Sequence, residues 1–288
     1  MQKYTKQVNH PRARWQLPSH TFQYLVMALL VCIMLFPFFW LIASSLKASH
    51  ELGAIPPVWW PVHPDASAYN TVFDVVPFGR ALLNSLIVTV CSTIGILVTS
   101  IMAGYVFAKH NFRGKNIIFI CVLATMMVPQ FVMLIPLYRM MDALNLTNSY
   151  PGLILPNLAN GFGIFLMRQF IMGVPNELLE AARIEGASEW RILWSIVTPL
   201  LRPAAAALIL FAFVFQWNNF LWPLSIVQSP DMSTVVLTLN GLRTYTSSVT
   251  FANIVMAGTA IGILPGVILT LWAQKYFIGG ISMTGVKG

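Results

Sequence analysis

The sequence predicts an all-α membrane protein of six transmembrane helices, and three observations carry that prediction. Apolar residues fill 57% of the 288 positions and charged residues only 9%, where a soluble domain carries about a quarter charged. Six apolar stretches, near 23–45, 83–107, 116–138, 152–172, 203–226 and 252–274, approach or exceed the ~20 residues that cross the hydrocarbon core as a helix. Lysine and arginine are spread unevenly between the connections. With the N-terminus in the cytoplasm, thirteen of the seventeen fall on the cytoplasmic side, and Lys47, Arg80, Arg139 and Arg243 fall outside. That bias sets membrane orientation. Backbone polar groups cannot go unpaired in lipid, so the stretches are expected to be helices. The alternating ten-residue strands of a closed barrel are absent from the sequence.

Residues 1–22 form a basic cytoplasmic leader with Lys3, Lys6, Arg12 and Arg14. The leader and the small residues Ala43, Ser44 and Ser45 also fit a cleavable signal. The apolar region is long for one, however, and holds Pro37 and Trp40, so it reads as a retained span. Residues 46–82, with Trp59, Trp60 and several prolines, suit a rigid interfacial cap outside the membrane. Span 83–107 carries Asn84, Ser85 and Thr89. Breakers recur beyond it: Pro129 and Pro136 in the third span, Pro156 in the fourth, Pro223 in the fifth, and Gly262, Pro265 and Gly266 in the sixth. Each proline removes a donor and kinks a helix. Kinks suit a moving pathway, and proline and glycine are also common in membrane helices generally. Polar groups in spans face protein or water rather than lipid. The candidate pathway residues are Asn84, Asn157, Asn160, Gln216, Asn218 and Asn219, with Ser85, Thr89 and Asn253 beside them; interhelical hydrogen bonding is the competing role. Residues 227–251 make a second outer loop with a turn at Asn240-Gly241, and residues 275–288 a short cytoplasmic tail.

The connection at 174–200 departs from the rest. All four cytoplasmic acids, Glu177, Glu180, Glu185 and Glu189, lie in it. Its chemistry predicts two short helices. Asn176 is placed to cap the first, with Glu177 in the first turn where the helix dipole favours an anion. Gly186 is placed to end it in the left-handed conformation, and Ser188 to cap the second. Trp190, Leu193, Trp194 and Val197 then fall on one stripe. Such an element either docks a soluble partner or lies at the interface as a lone amphipathic helix. Glu180 is correspondingly a docking group, or a solvated charge three residues from Arg183.

Chemistry of other kinds is disfavoured. Cys32, Cys91 and Cys121 have no metal or redox spacing and are expected as free, buried thiols, and the five histidines form no ligand pair. The net charge of +8 is a topology signal rather than a nucleic-acid footprint. Gly114-Lys115-Asn116 lacks the upstream glycine and the hydroxyl of a phosphate loop, so the chain is expected neither to hydrolyse ATP nor to hold a cofactor. No nucleophile or acid–base pair stands out.

The 174–200 loop resembles the EAA signature of binding-protein-dependent ABC importer permeases, E-A-A-x3-G-x9-I-x-L-P. Glu180, Ala181, Ala182, Gly186, Ile196 and Pro199 match it, and Thr198 stands where leucine is usual. The run from Gln216 to Leu224 and the ending from Gln274 to Gly280 are similar to the carbohydrate, MalG-type subgroup. The resemblance implies a type I importer permease (MetI-like) fold over 23–274, in the bacterial inner membrane with both termini cytoplasmic. It also implies a second, MalF-type permease, two ATPase subunits and an extracytoplasmic solute-binding protein as partners. The matching residues would be the ATPase-coupling site, with Glu180 pairing a basic group and the tail reaching between the ATPases. The competing class is a secondary transporter or channel without an ATPase. Ion-coupled carriers commonly place ionisable groups mid-membrane, and none clearly lies there.

Overall fold

The computed structural model describes residues 20–245 and 252–284, and every element among them is helical. The leader up to residue 19, residues 246–251 and the last four tail residues lie outside the described residues. Three helices are uninterrupted, long and apolar: α1 (His20–Ser45), α4 (Phe78–Lys109) and, last in the chain, α14 (Ala252–Thr284). They correspond to the first, second and sixth predicted spans. Two short helices, α2 (Ser49–Leu52) and α3 (Ser67–Val75), lie between the first two. Residues 276–284 continue α14 as helix, past the predicted end of the span at 274.

The other predicted spans are not single helices. The third is split into α5 (Lys115–Thr125) and a segment, Gln130–Ala143, that begins as a 3-10 turn and ends as α6 (Leu134–Ala143); the halves meet at 98°. Pro129 stands at the break with extended backbone, ψ 132°. Pro136 sits in the first turn of α6, where a missing N–H costs nothing. The fourth span is split into α7 (Tyr150–Ile154), a 3-10 turn at Leu155–Asn157 holding Pro156, and α8 (Gly161–Met172). After α9 (Asn176–Ile184) and α10 (Glu189–Leu200), the fifth opens as α11 (Arg202–Trp217), and Pro223 falls in the first turn of a separate α12 (Leu221–Ile226). The remaining helix is α13 (Val235–Tyr245). Among the described residues, three single helices qualify as spans by length and composition, or up to five if each bent pair is one span, and Gly161–Met172 is a shorter apolar helix. The prolines expected to kink the spans act more strongly than that: most of them start new helices instead of bending one.

Three apolar clusters organise the fold. One joins Ile101 and Tyr105 of α4, Met167 and Ile171 of α8, Leu179 and Ala182 of α9, Ile192, Leu193 and Val197 of α10, and Leu208 of α11. A second joins Val72 of α3, Phe78 of α4, Trp217 of α11 and Ala257 of α14, and a third Val88, Met141, Leu153, Trp222 and Ile226. Two buried indoles tie segments across the chain: Trp217 Nε1 donates to the Gly262 carbonyl (2.9 Å), three residues before Pro265, and Trp222 Nε1 to the Gly152 carbonyl (3.1 Å). In contrast, the apolar window of α1 is exposed on all sides, as lipid contact requires. The three cysteines are free as expected but exposed, a correction to the buried thiols read from the sequence; they occupy outer helix faces.

Candidate functional site

The 174–200 connection folds as the predicted helix, glycine turn and helix. α9 ends in a turn where Gly186 takes φ +81°. Its N–H donates to the Arg183 carbonyl (3.0 Å) and that of Ala187 to the Ala182 carbonyl (3.0 Å). Those two bonds satisfy carbonyls that the helix end leaves open, in the Schellman arrangement. Ser188 caps α10, its hydroxyl accepting from the Arg191 N–H (3.3 Å). Asn176 does not cap α9. It is the first helical residue, and its side-chain carbonyl accepts from Lys109 Nζ (2.8 Å), which also reaches the Val174 carbonyl (2.6 Å). The last residue of α4 thus clamps the entry to the loop.

The second helix differs from a regular one. It is π-helical over Ile192–Val197. Pro199 has no N–H for the preceding turn and pushes its carbonyl away, so the helix widens upstream. The Thr198 hydroxyl takes up the Leu193 carbonyl (2.8 Å). Widening changes which side chains face inward: Ile192, Leu193 and Val197 are buried, Ile196 and Trp194 half-buried, Pro199 exposed, and Trp190 points out at 61% exposure. The predicted single stripe is therefore divided, although the Trp190 and Trp194 rings still meet edge-on at 5.7 Å.

Beneath this element lies a polar fastening. Glu189 accepts from Arg183 Nε (2.6 Å) and from the Tyr105 hydroxyl of α4 (2.7 Å), and His110 Nε2 stands 3.5 Å from it. Arg183 and Tyr105 hold the Glu189 carboxyl below the ordinary glutamate value, and Glu189 in turn raises Arg183. So Arg183 pairs with Glu189, not with Glu180. Glu180 is exposed and makes no hydrogen bond or ion pair among the described residues. With Ala181 and the exposed Leu178 and Ile184 it forms an outward ridge on α9, while Leu179 and Ala182 turn inward. Tyr105, Lys109 and Glu189 escaped sequence reasoning because the bonds they make close only when distant segments pack; Tyr105 and Glu189 are 84 positions apart.

The candidate pathway groups divide by role. Asn84 is fully buried, its amide donating to the Asp231 and Ser233 carbonyls (2.8 and 2.9 Å) while its oxygen accepts from Tyr150 (2.7 Å), so it holds α4 to residues 231–233. Ser85 bonds the Val235 N–H. Asn160 caps α8, accepting from the Gly163 N–H (2.8 Å), and lines a cavity of about 450 Å³ with Phe162, Leu208 and Phe211. Asn157 bonds the Leu153 carbonyl and Asn218 the Val214 carbonyl, and Asn253 accepts from Ser49. Gln216 and Asn219 border, with Thr89 and Thr234, a space of about 10 Å³, room for a single water. The Gln216 amide nitrogen is buried there without a partner among the described residues.

An exposed acidic–apolar ridge, a left-handed glycine turn and a buried seat in the bundle thus meet in one element. Residues 95–282 match the family described as binding-protein-dependent transport system inner membrane component. The chain is 37% identical over 265 residues to the arabinooligosaccharides transport system permease protein AraQ of Bacillus subtilis (strain 168), covering 90% of this chain and 93% of that one. It is 38% identical over 205 residues to the sn-glycerol-3-phosphate transport system permease protein UgpE of Yersinia pestis bv. Antiqua (strain Antiqua), covering 71% and 73%. Its fold is similar to that of a chain in a solved bacterial ABC transporter involved in the import of the acidic polysaccharide alginate (TM-score 0.78, 24% identity, 90% and 96% covered). A second structure of a bacterial alginate ABC transporter, in complex with alginate pentasaccharide-bound periplasmic protein, gives 0.62 at 16% identity, with 88% and 93% covered. On the match over residues 95–282 and the near full-length relatives, the chain belongs to the binding-protein-dependent transport system inner membrane component family.

Proposed function

We propose that this chain is the membrane-spanning permease subunit of an ABC importer, and that it moves a carbohydrate or carbohydrate derivative delivered by an extracytoplasmic binding protein. The sugar-type cargoes in the names of the relatives, and the binding protein in the solved complex, support this reading. In it the 174–200 element faces the cytoplasm, a second permease completes the pathway, and two ATPase subunits hydrolyse the nucleotide. Both termini would lie in the cytoplasm. The observation that carries the proposal is the two-sidedness of α9: a free Glu180 on an exposed ridge, and Leu179 and Ala182 seated in one cluster with α4, α8, α10 and α11. An ATPase cleft would take the ridge, with Glu180 against a basic group. Closure of the ATPase pair would then push the seat and, with it, the spans. Gly186, Ile196 and Pro199 shape the turn and the widened helix that hold this geometry.

Gln216 and Asn219, at the small closed space, and Asn160, at the larger cavity, are the proposed pathway contacts, with Asn157 and Asn218 near them. The test is co-purification and cargo-stimulated ATP hydrolysis with Glu180→Lys. Because Glu180 is exposed and unpaired, the substitution should leave the chain folded, within roughly 0.5 kcal/mol. The ATPase should no longer co-purify and uptake should cease. Retained ATPase and full uptake in that variant would overturn the coupling role.

A further inference from the structure

The end of α1 farthest from the 174–200 loop carries a charged cavity that the importer reading does not use. α4 is 32 residues long, about 48 Å of helix, with Tyr105 at its loop end and Phe78 at the other. The end of α1 packs at the Phe78 end: Ser45 bonds Tyr69 of α3 (2.8 Å), and Ser49 bonds Asn253 at the start of α14. There, Phe36, Trp40, Lys47, Glu51 and Trp59 line a cavity of about 310 Å³. Two of them are charged and buried: Lys47 at 1% and Glu51 at 8% exposure. The Lys47 ammonium lies 4.1 Å above the Trp40 ring. Glu51 Oε1 accepts from the Val62 N–H (3.2 Å), but Oε2 is buried with no partner among the described residues.

A buried carboxylate oxygen demands a donor, and Lys47 is turned to the indole instead. Burial draws the Lys47 ammonium below the ordinary lysine value, with Glu51 opposing, so an anion beside it would favour the charged form. A molecule that satisfies both groups carries an ammonium with N–H donors and, a few atoms away, an anion. The place narrows the choice further. Trp40 and Trp59 meet edge-on at 5.8 Å, Phe36 and Trp59 at 6.2 Å, and Trp59 and Trp60 remain 60% and 53% exposed at the end of a lipid-facing helix. Aromatic rings collect at the headgroup level of a bilayer.

We propose that this cavity binds the headgroup of a phosphatidylethanolamine from the leaflet at that end, its ammonium on Glu51 and its phosphate on Lys47. Choline headgroups carry no N–H for Oε2, and glycerol headgroups carry no cation for it, so the site discriminates by headgroup. The full chain, purified with its co-eluting subunits and delipidated, is titrated with phosphatidylethanolamine, phosphatidylcholine and phosphatidylglycerol and weighed intact by native mass spectrometry. One site selective for the ethanolamine lipid is expected, weakened about tenfold or more in Glu51→Gln and in Lys47→Met. Trp59→Ala removes a largely exposed ring, so it tests the cavity without endangering the fold, and it should also weaken retention. Headgroup selectivity in the unaltered protein needs no variant. Equal retention of the three lipids, or retention unchanged in Glu51→Gln and Trp59→Ala, overturns the proposal. So does displacement by soluble phosphoethanolamine at matched concentration, or zero-length cross-linking of Lys47 or Glu51 to another subunit, which would place a free solute or a protein segment there.

Discussion

Two glutamates of the 174–200 element have opposite surroundings. Glu180 faces outward without a partner, whereas Glu189 accepts from Arg183 and Tyr105 and so fastens α9 and α10 to α4. The Arg183–Glu189 pair is half-exposed, at 41% and 47%, and by itself contributes under about 1 kcal/mol. Its value lies in position, because it holds between α9 and α10 the same carboxylate to which Tyr105 of α4 donates. The carboxyl of Glu189 is held below its ordinary value, first by Arg183 and then by Tyr105. A depressed acid contributes stability above its unfolded value, 4.5, and loses it as pH falls through the lower folded value. Below that, protonated Glu189 no longer pairs with Arg183. Backbone exchange over residues 176–190, corrected for intrinsic rates, is therefore expected to hold steady near neutrality and to rise as the pH drops below 4.5. In Glu189→Gln it should already be raised at neutral pH and should lack that acid step. The same variant should hydrolyse ATP in the assembled transporter while moving less cargo per nucleotide. An unchanged exchange profile in Glu189→Gln would remove the fastening role.

At the scale of the elements, Gly186 is a conformational requirement without a steric one. Its φ is +81°, yet a Cβ built there meets nothing within 4 Å. Gly186→Ala should thus cost about 1–2 kcal/mol from the left-handed backbone alone. Gly186→Asn should cost less, since asparagine visits that region, and Gly186→Val the most. The measurement is the rate of proteolytic cleavage at Arg183 and Arg191; equal rates in all four proteins would show that the turn does not hold the loop. This turn was legible in the sequence, and so were Ser188 as a cap and the presence of α1 and α4 as long apolar helices, though α4 begins five residues before the predicted span, because each depends on residues within a few positions of one another. The breaks at Pro129, Pro156 and Pro223 were legible as proline sites but not as helix starts. A proline by itself does not tell a helix interior from a helix start: Pro37 stays inside the exposed α1 while Pro129 stands at a break, and contacts from distant segments are not visible in the sequence. Pro265 remains inside α14, where the Trp217 indole reaches the nearby Gly262 carbonyl. Asn176 was misplaced for the same reason: the Lys109 ammonium that occupies its side chain comes from the end of another helix. Of the candidate pathway residues, Asn84 could not be told from a structural clamp until Asp231, Ser233 and Tyr150 were seen around it.

Across the whole molecule, the seat of α9 and the spans form one body. α4 enters all three apolar clusters, with Phe78, Val88 and Tyr105 in turn. Its crossing with α8 is close because Gly104 has no side chain: a Cβ there would lie 2.8 Å from Met167 Cβ and 2.9 Å from the Arg168 nitrogen. Arg168 Nε closes the same crossing on the Phe107 carbonyl (3.3 Å). Packed interiors transmit displacement rather than absorb it, so a push on the ridge should carry α4 and α8 with it. Spin labels at Ile184, 88% exposed on α9, and Phe170, 48% exposed on α8, report on that body. Cys32, Cys91 and Cys121, exposed and unpaired, would first be replaced by serine. The Ile184–Phe170 distance distribution is expected to be the same in the nucleotide-free and vanadate-trapped transporter, with trapping confirmed by retained nucleotide. Gly104→Ala forces the crossing open, so it should broaden that distribution and lower uptake while ATP hydrolysis continues. A distance that changes on trapping in the unaltered chain would mean the loop swings on its own, and the push would then have to reach the spans by another route.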